Sequence, residues 1–310
     1  MNSIKNDSLA KSTDPIDGIN PEARYKSGFR DSLFLGKAFI VTGGGSGIGR
    51  CIALEIAALG GSVGLVGRDI GKLERVQREI VHDGGKAEFW SCDIRDEAAV
   101  AETVTASITR FGHIDGLVNC AGGQFPAPLR DISLKGWNAV VANNMTGTFL
   151  FSREVYCQAM EQSGGAIVNI GADHDPAMPG MAYNGAARAG QENFTATAPV
   201  AWAHAGVRIN QVTPGFIATA GLDSYPDSFA DTLRDARLRV PMKRHGNEAG
   251  ISSAVVFLLS PMAAYITGAT IRVDGGLHNN SGGYIELPDH ERAPCWESFH
   301  RSEPPAVLAK

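Results

Sequence analysis

The sequence contains no Cys-x-x-Cys pair, no unbroken run of about eighteen apolar residues and no basic stretch, and each absence closes a class of function. Cys51, Cys92, Cys120, Cys157 and Cys295 are odd in number and widely spaced, which suits free thiols in a reducing compartment and supplies no zinc site or other metal centre. Residues Met1 to Asp17 are polar and lack an apolar core, so neither a secretory leader nor a spanning helix is expected there. The final Val-Leu-Ala-Lys does not match the peroxisomal tripeptide, and the expected location is cytoplasmic. With 28 Lys and Arg against 33 Asp and Glu, a net charge of -5 leaves no electrostatic footprint for nucleic acid.

What the chain does have is glycine and a large apolar fraction. At 310 residues and 44% hydrophobic content it can bury a substantial core. Residues 1 to about 32 mix Ser, Asn, Asp, Lys and Pro without periodicity and read as a flexible arm. From Ala38 short apolar runs alternate with helical patterns. Strands are expected at Ala38–Thr42, Ser62–Val66, Ala87–Ser91, Gly116–Asn119, Ala166–Ile170, Val207–Val212 and Ala269–Val273. Helices are expected at Ile48–Leu59, Ile70–His82, Glu97–Phe111, Trp137–Met160, Ala182–Ala203, Ser228–Leu238 and Asn247–Leu259. Such alternation requires a parallel sheet with helices on both faces, because right-handed crossovers place them there. The fold class is α/β, a single Rossmann-type doubly wound sheet of about seven strands in the order 3-2-1-4-5-6-7 over residues 33–277, followed by an irregular extension over 278–310. The polar insertion between Phe216 and Val240 is of the kind that lids a pocket.

The first strand opens into Thr42-Gly43-Gly44-Gly45-Ser46-Gly47-Ile48-Gly49. Glycines there let the backbone turn sharply and approach a diphosphate, whose charge then meets a helix N-terminus. No Lys-Ser or Lys-Thr pair follows the last glycine, which disfavours an ATP loop. Where an acidic residue would bind the ribose of NAD, the second strand ends in Gly67-Arg68, and a guanidinium suits a 2'-phosphate. NADP(H) is therefore favoured over NAD(H), although Asp69 lies next to Arg68.

This glycine spacing resembles the short-chain dehydrogenase/reductase family. Further segments resemble it over residues 37 to about 277: Cys92-Asp93-Ile94, Asn119-Cys120-Ala121-Gly122, Asn144-Met145-Thr146-Gly147, Gly206 through Asn210, Pro214-Gly215-Phe216-Ile217, and Thr267-Gly268 through Gly276. Within the family, Gly122 to Phe125, Ser133 to Trp137, Gly185 to Gly190 and Pro288-Asp289-His290 are most similar to peroxisomal trans-2-enoyl-CoA reductase and its bacterial relatives, and more distantly to 2,4-dienoyl-CoA reductases. The resemblance implies that Gly43, Gly45, Ser46, Gly47, Ile48, Gly49 and Arg68 bind cofactor. It also implies that Asp93 bonds the adenine amine and Ile94 lines its pocket. Asn119, Ala121 and Gly122 would pass beneath the ribose, and Pro214, Gly215, Ile217 and Thr219 would hold the nicotinamide end. Each has a plainer reading: Asp93 as a helix cap, Asn119 as a buried amide tying strands, Pro214-Gly215 as a turn.

At the catalytic positions the sequence departs from the family's Ser, Tyr and Lys. Ile170-Gly171-Ala172 occupies the serine's place. If Tyr183 is aligned with the family tyrosine, Ala187 takes the lysine's place; if Arg188 takes it, Asn184 takes the tyrosine's. A tyrosine five residues from Arg188 points roughly 140° away on an ideal helix, but the turn expected at Pro179-Gly180 leaves its aim open. Tyr183 is the first choice of proton donor, with a packing role as the alternative. Asn144 matches the family's helix asparagine and is a candidate to bond an enolate oxygen or a relay water. His174 follows a strand's C-terminal edge and is a second candidate acid.

Loss of the serine disfavours carbonyl reduction, which needs a donor polarising the carbonyl oxygen. Reduction of an activated C=C bond, such as that of a CoA thioester, is the leading reading. An alcohol or carbonyl oxidoreductase acting on a hydroxyacyl, terpenoid or steroid substrate is the second, and a catalytically silent dinucleotide-binding subunit the third. The family resemblance implies a homo-oligomer, tetramer or dimer, and apolar helices such as Trp137–Met160 agree, with residues 278–310 crossing to a neighbour or covering the pocket.

Overall fold

The computed structural model describes Tyr25, Ser27 and residues 29–280, 286–296 and 299–308. Most of the arm expected over residues 1–32 lies outside this set. All described strands join one parallel sheet of seven, ordered β3-β2-β1-β4-β5-β6-β7, as the alternation requires. In chain order the elements are β1 (Ala38–Thr42), α1 (Gly47–Ala58), β2 (Ser62–Gly67), α2 (Ile70–His82), β3 (Lys86–Ser91), α3 (Glu97–Phe111) and β4 (Gly116–Asn119). After these come α4 (Leu134–Val141), α5 (Gly147–Val155), α6 (Glu161–Ser163), β5 (Gly165–Ile170), α7 (Ala182–Trp202), β6 (Val207–Pro214), α8 (Ala230–Arg239), α9 (Glu248–Leu259) and β7 (Thr270–Val273).

Period-two alternation in β1 divides the core. Phe39 and Val41 face the layer of α1 and α9, packing with Ile52, Ile56, Val255 and Leu258. Ala38 and Ile40 face the other layer, with Val100, Val104, Phe151 and Val155. Helix starts follow local chemistry. Asp69 accepts from the Lys72 amide at 3.1 Å and Asp96 from the Ala99 amide at 3.1 Å, capping α2 and α3.

The helix expected over Trp137–Met160 is not continuous. It begins earlier, at Leu134, because Ser133 accepts from the Gly136 amide at 3.1 Å. It is then widened by two π turns, Ala142–Thr146 and Tyr156–Met160. At the first, the Gly147 amide bonds the Ala142 carbonyl five residues back, and the Asn144 side chain within the bulge donates to the Val140 carbonyl at 3.0 Å. The bulge thus turns Asn144 inward, fully buried. No helix among the described residues is long and apolar enough to cross a membrane.

Tyr25 is buried against Phe299, their ring centroids 6.0 Å apart, so the two ends of the described chain meet on the α1 face. Close by, the Glu248 carboxylate at the start of α9 is 1% exposed and accepts from the Ser302 hydroxyl at 2.9 Å. Burial raises its pKa above the ordinary carboxylate value, with Glu303 adding to the rise, while the α9 backbone, Ser302 and Arg50 oppose it. The folded chain therefore holds this proton to higher pH than the unfolded chain does. Stability is present below the unfolded carboxylate's range and is lost as pH rises through the folded value. Glu248→Gln should remove that dependence and raise the melting temperature at pH 8 by about 3 °C, with little change at pH 4, measured by calorimetry.

Candidate active site

The C-terminal ends of β1, β4, β5 and β6 form one edge, and the turn after β1 opens there. Gly43 has φ +68, and a Cβ on it would lie 2.9 Å from the Ala121 amide nitrogen. A Cβ on Gly49 would lie 2.2 Å from the Gly43 carbonyl oxygen, so neither position admits a side chain. Ser46 begins α1 without a side-chain cap, which leaves the first helix amides free to face a diphosphate. Ile48 packs into the core below, Gly45 lies against Lys72, and Thr219 faces Gly47. Thr42 accepts from the Cys120 and Ala121 amides at 3.0 and 3.1 Å, drawing the end of β4 beside the turn.

The structure places the remaining expected cofactor residues around this cradle. Arg68 is exposed at the end of β2, and its charge reaches Asp93. Asp93 pairs with Arg95 at 2.5 Å, and hydrogen bonds from Arg95 hold its carboxyl down to about 2. Ile94 is buried against Gly147, where an added Cβ would meet it at 2.5 Å. The Asn119 amide donates to Ser152 and Asn169, at 3.0 and 2.9 Å, tying β4 to α5 and β5. Gly122 touches the catalytic side: a Cβ there would be 2.7 Å from Asn144 Oδ1 and 2.8 Å from an Arg188 nitrogen. Pro214 closes β6, Gly215 lies against Asp274, and Ile217 bridges to Gly246.

Arg188 is the centre of the buried polar groups. Its guanidinium donates to the Ile170 carbonyl at 2.8 Å, Gln191 Oε1 at 2.9 Å and Asn144 Oδ1 at 2.9 Å. Asn144 in turn accepts from the Gly123 amide at 3.0 Å and donates to the Gly123 carbonyl at 2.8 Å. Among the described residues no carboxylate pairs with Arg188, and its Nε has no hydrogen-bond partner. Burial pulls its pKa down to about 10, so it stays a cation at neutral pH, and it pushes the nearby Cys120 thiol up to about 12.

Tyr183 and Arg188 are not brought together. Tyr183 is fully buried with its ring 5.2 Å from Phe125, and its hydroxyl has no hydrogen-bond partner. Burial raises its pKa, and Tyr225 adds to the rise. Asn184 lies one turn before Arg188, buried, with its Oδ1 unpartnered. His174 bonds the Ala172 carbonyl at 3.3 Å and approaches Glu192 at 3.5 Å, outside the Arg188 group. Two contributors escaped sequence reasoning. Tyr225 reaches the site from the segment after β6 and accepts from Gln124 at 3.0 Å. Gln191 is held by Thr148 at 3.0 Å while it positions Arg188. The helical spacing of Arg188 and Gln191 was the available signal for the last of these.

A sequence model of the family described as enoyl-(acyl carrier protein) reductase matches residues 43–278. The chain belongs to the short-chain dehydrogenase/reductase family. As a member of that family it is an oxidoreductase of the NAD(P)(H)-binding kind. Among solved structures it is similar to a citronellol catabolism dehydrogenase of Pseudomonas aeruginosa, with 51% identity, a TM-score of 0.74, and coverage of 82% of this chain and 100% of that one. It is 33% identical to the rat peroxisomal 2,4-dienoyl-CoA reductase over 86% of this chain and 93% of that protein. It is also 36% identical to a glucose 1-dehydrogenase of Gluconobacter oxydans over 79% of this chain and 92% of that protein. The relatives thus span C=C reduction and alcohol oxidation within this short-chain dehydrogenase/reductase family.

The dinucleotide fits the residues present: two glycines that exclude a Cβ, an uncapped helix start and a buried guanidinium with an orphaned nitrogen. Gly49→Ala should weaken NADPH binding by roughly 100-fold, about 2.8 kcal/mol, in a fluorescence titration, while leaving the circular dichroism spectrum unchanged. Gln191→Leu should cost about 1–3 kcal/mol in denaturant unfolding, because it strands an Arg188 nitrogen and the Thr148 hydroxyl.

Proposed function

We propose that the protein is an NADP(H)-dependent reductase of activated C=C bonds, such as that of a trans-2-enoyl-CoA thioester. The single observation that carries this reading is the guanidinium beside Gly122: among the described residues the buried Arg188 has no carboxylate partner, keeps a nitrogen without a hydrogen-bond partner, and has no serine or tyrosine hydroxyl bonded to it. Guanidinium hydrogens stabilise an oxyanion well but give up no proton at neutral pH. An alkoxide formed by carbonyl reduction must receive a proton on oxygen. An enolate formed by hydride addition to a β-carbon need only be held until a proton reaches the α-carbon.

The glycine turn of residues 43–49 would hold the diphosphate, with Arg68 near the 2'-phosphate, Asp93 and Ile94 at the adenine, and Asn119, Ala121 and Gly122 along the ribose. Pro214, Gly215, Ile217 and Thr219 would border the nicotinamide, which supplies hydride when bound. Arg188, fixed by Gln191 and the Ile170 carbonyl, holds positive charge where the thioester oxygen becomes negative, and Asn144 fixes its second arm. A phenol carries its proton at neutral pH, and Tyr183, whose pKa burial raises further, stands beside Phe125 as the proton donor to the α-carbon. His174 is the second candidate donor, turned toward Glu192. The outer faces of α5 and α7 expose Phe149 at 40% and Val200 at 90%, which supports a homo-oligomer.

A second reading, oxidation of an alcohol with NADP, is favoured by the name of the 51% identical Pseudomonas structure. The two separate in one assay. Purified protein should consume NADPH with trans-2-decenoyl-CoA and leave citronellol untouched with NADP; turnover of the alcohol alone overturns the first reading. Arg68→Ala should raise the KM for NADPH about tenfold with little effect on NADH, and an equal effect on both removes Arg68 from the 2'-phosphate. Arg188→Met should lower kcat by roughly 100-fold, as loss of one oxyanion donor does, and Tyr183→Phe should lower it with KM unchanged.

A further inference from the structure

The end of the chain runs back over the molecule to the segment between β6 and α9. Phe299 is buried in the α1 and α9 layer, with the Arg50 guanidinium 5.5 Å above its ring. Arg301 pairs with Asp83 at 2.8 Å, and its carbonyl accepts from Arg50 at 3.0 Å. Glu303 then accepts from Arg75 at 2.5 Å and from Arg50 at 3.2 Å. Arg50 follows Gly49 directly, so this anchor grips the helix whose N-terminus forms the cofactor cradle. It is held on its other side by Glu79 at 2.9 and 3.0 Å.

Beyond the anchor come Pro304 and Pro305, whose fixed φ leaves little freedom to lose on docking. The following turn, Ala306–Leu308, is received entirely by the insertion. The Ala306 and Val307 amides donate to the two oxygens of Asp223, each at 3.0 Å. The Val307 carbonyl accepts from Arg234 of α8 at 3.1 Å. Asp223 thus caps a helical turn 83 and 84 residues away in sequence. Two residues on, Tyr225 accepts from Gln124 of the loop after β4, and at the start of the same segment Thr219 faces Gly47.

We propose that Asp223 is a positioning residue for the substrate cleft, and that the segment Phe299–Leu308 is a strap that uses it to hold the lid of residues 219–239 down, tied to the cofactor helix through Arg50. This rests on the reading of that lid as the substrate's cover. Neither Asp223 nor the strap touches the reacting atoms. Their effect runs through the placement of Tyr225 against Gln124, and so bears on substrate affinity rather than on chemistry or cofactor binding.

The test is hydrogen exchange of the full chain, wild type against Asp223→Ala, Asp223→Glu and a chain ending at Pro305. Amides of residues 219–239 should exchange about tenfold faster in Asp223→Ala and in the shortened chain, with β1 and β5 unchanged as a check on folding, and Asp223→Glu should recover part of the loss. Arg234→Leu, which leaves Asp223 in place, should give a smaller change of the same sign. With trans-2-decenoyl-CoA as probe, KM should rise about tenfold in Asp223→Ala while kcat and NADPH binding hold. Unchanged exchange over 219–239 in both Asp223→Ala and the shortened chain overturns the strap. If the wild-type chain does not turn over the probe, the reductase reading fails, and the exchange result still decides the strap.

Discussion

A guanidinium removed from water with no carboxylate beside it is costly, and among the described residues none pairs with the buried Arg188. Its partners are neutral: a strand-end carbonyl, the Gln191 amide and the Asn144 amide. Neutral acceptors satisfy hydrogen bonds without neutralising charge, so the cation projects a positive field into the space beside Gly122. An internal carboxylate would have been the easier solution for stability alone, as Glu79 is for Arg50. Under the proposed function the missing negative charge arrives with the ligands.

The rest of the site follows from keeping Arg188 there. Asn119 of β4, Asn169 of β5 and Thr195 of α7 form a buried chain of hydrogen bonds, and Thr195 returns to the Gln191 carbonyl at 2.9 Å. Gln191 is braced by Thr148 of α5, and Asn144 is braced by the loop after β4. The pairing of β4 with β5, which sets Asn119 opposite Asn169, is therefore part of the site. So is the π turn Ala142–Thr146, which contains Asn144 and carries its side chain to the Val140 carbonyl and the loop after β4. A local widening of the helix thus serves the same charge as the sheet register.

Much of the fold was legible because each boundary had local chemistry. Ile70–His82, Glu97–Phe111 and Gly116–Asn119 fall where the pattern puts them, since Asp69 and Asp96 cap and the apolar runs end in turn residues. The glycine turn was legible for the same reason: a single backbone conformation at Gly43 and a single close approach at Gly49 are written in residue type. The interruption of Trp137–Met160 was not, because no residue in Ala142–Thr146 forbids an ordinary helix and only long-range bonds to Gly123 favour the bulge. Nor was the role of the tail. Its contacts depend on partners such as Arg50, 251 residues away from Arg301, and polar, proline-containing sequence carries no periodicity that would reveal them. The catalytic alignment was readable only as two alternatives, and the geometry favours Arg188 at the buried centre with Tyr183 facing Phe125.

The central claim is that the positive field of Arg188 serves an enolate rather than an alkoxide. NADPH deuterated at the transferable position, reacted with an α,β-unsaturated aldehyde that offers both a C=C and a C=O bond, tests it directly by mass spectrometry and NMR of the product. The account predicts the cofactor's deuterium on the β-carbon of a saturated aldehyde, with a solvent proton on the α-carbon. Deuterium on the carbinol carbon of an allylic alcohol would contradict it.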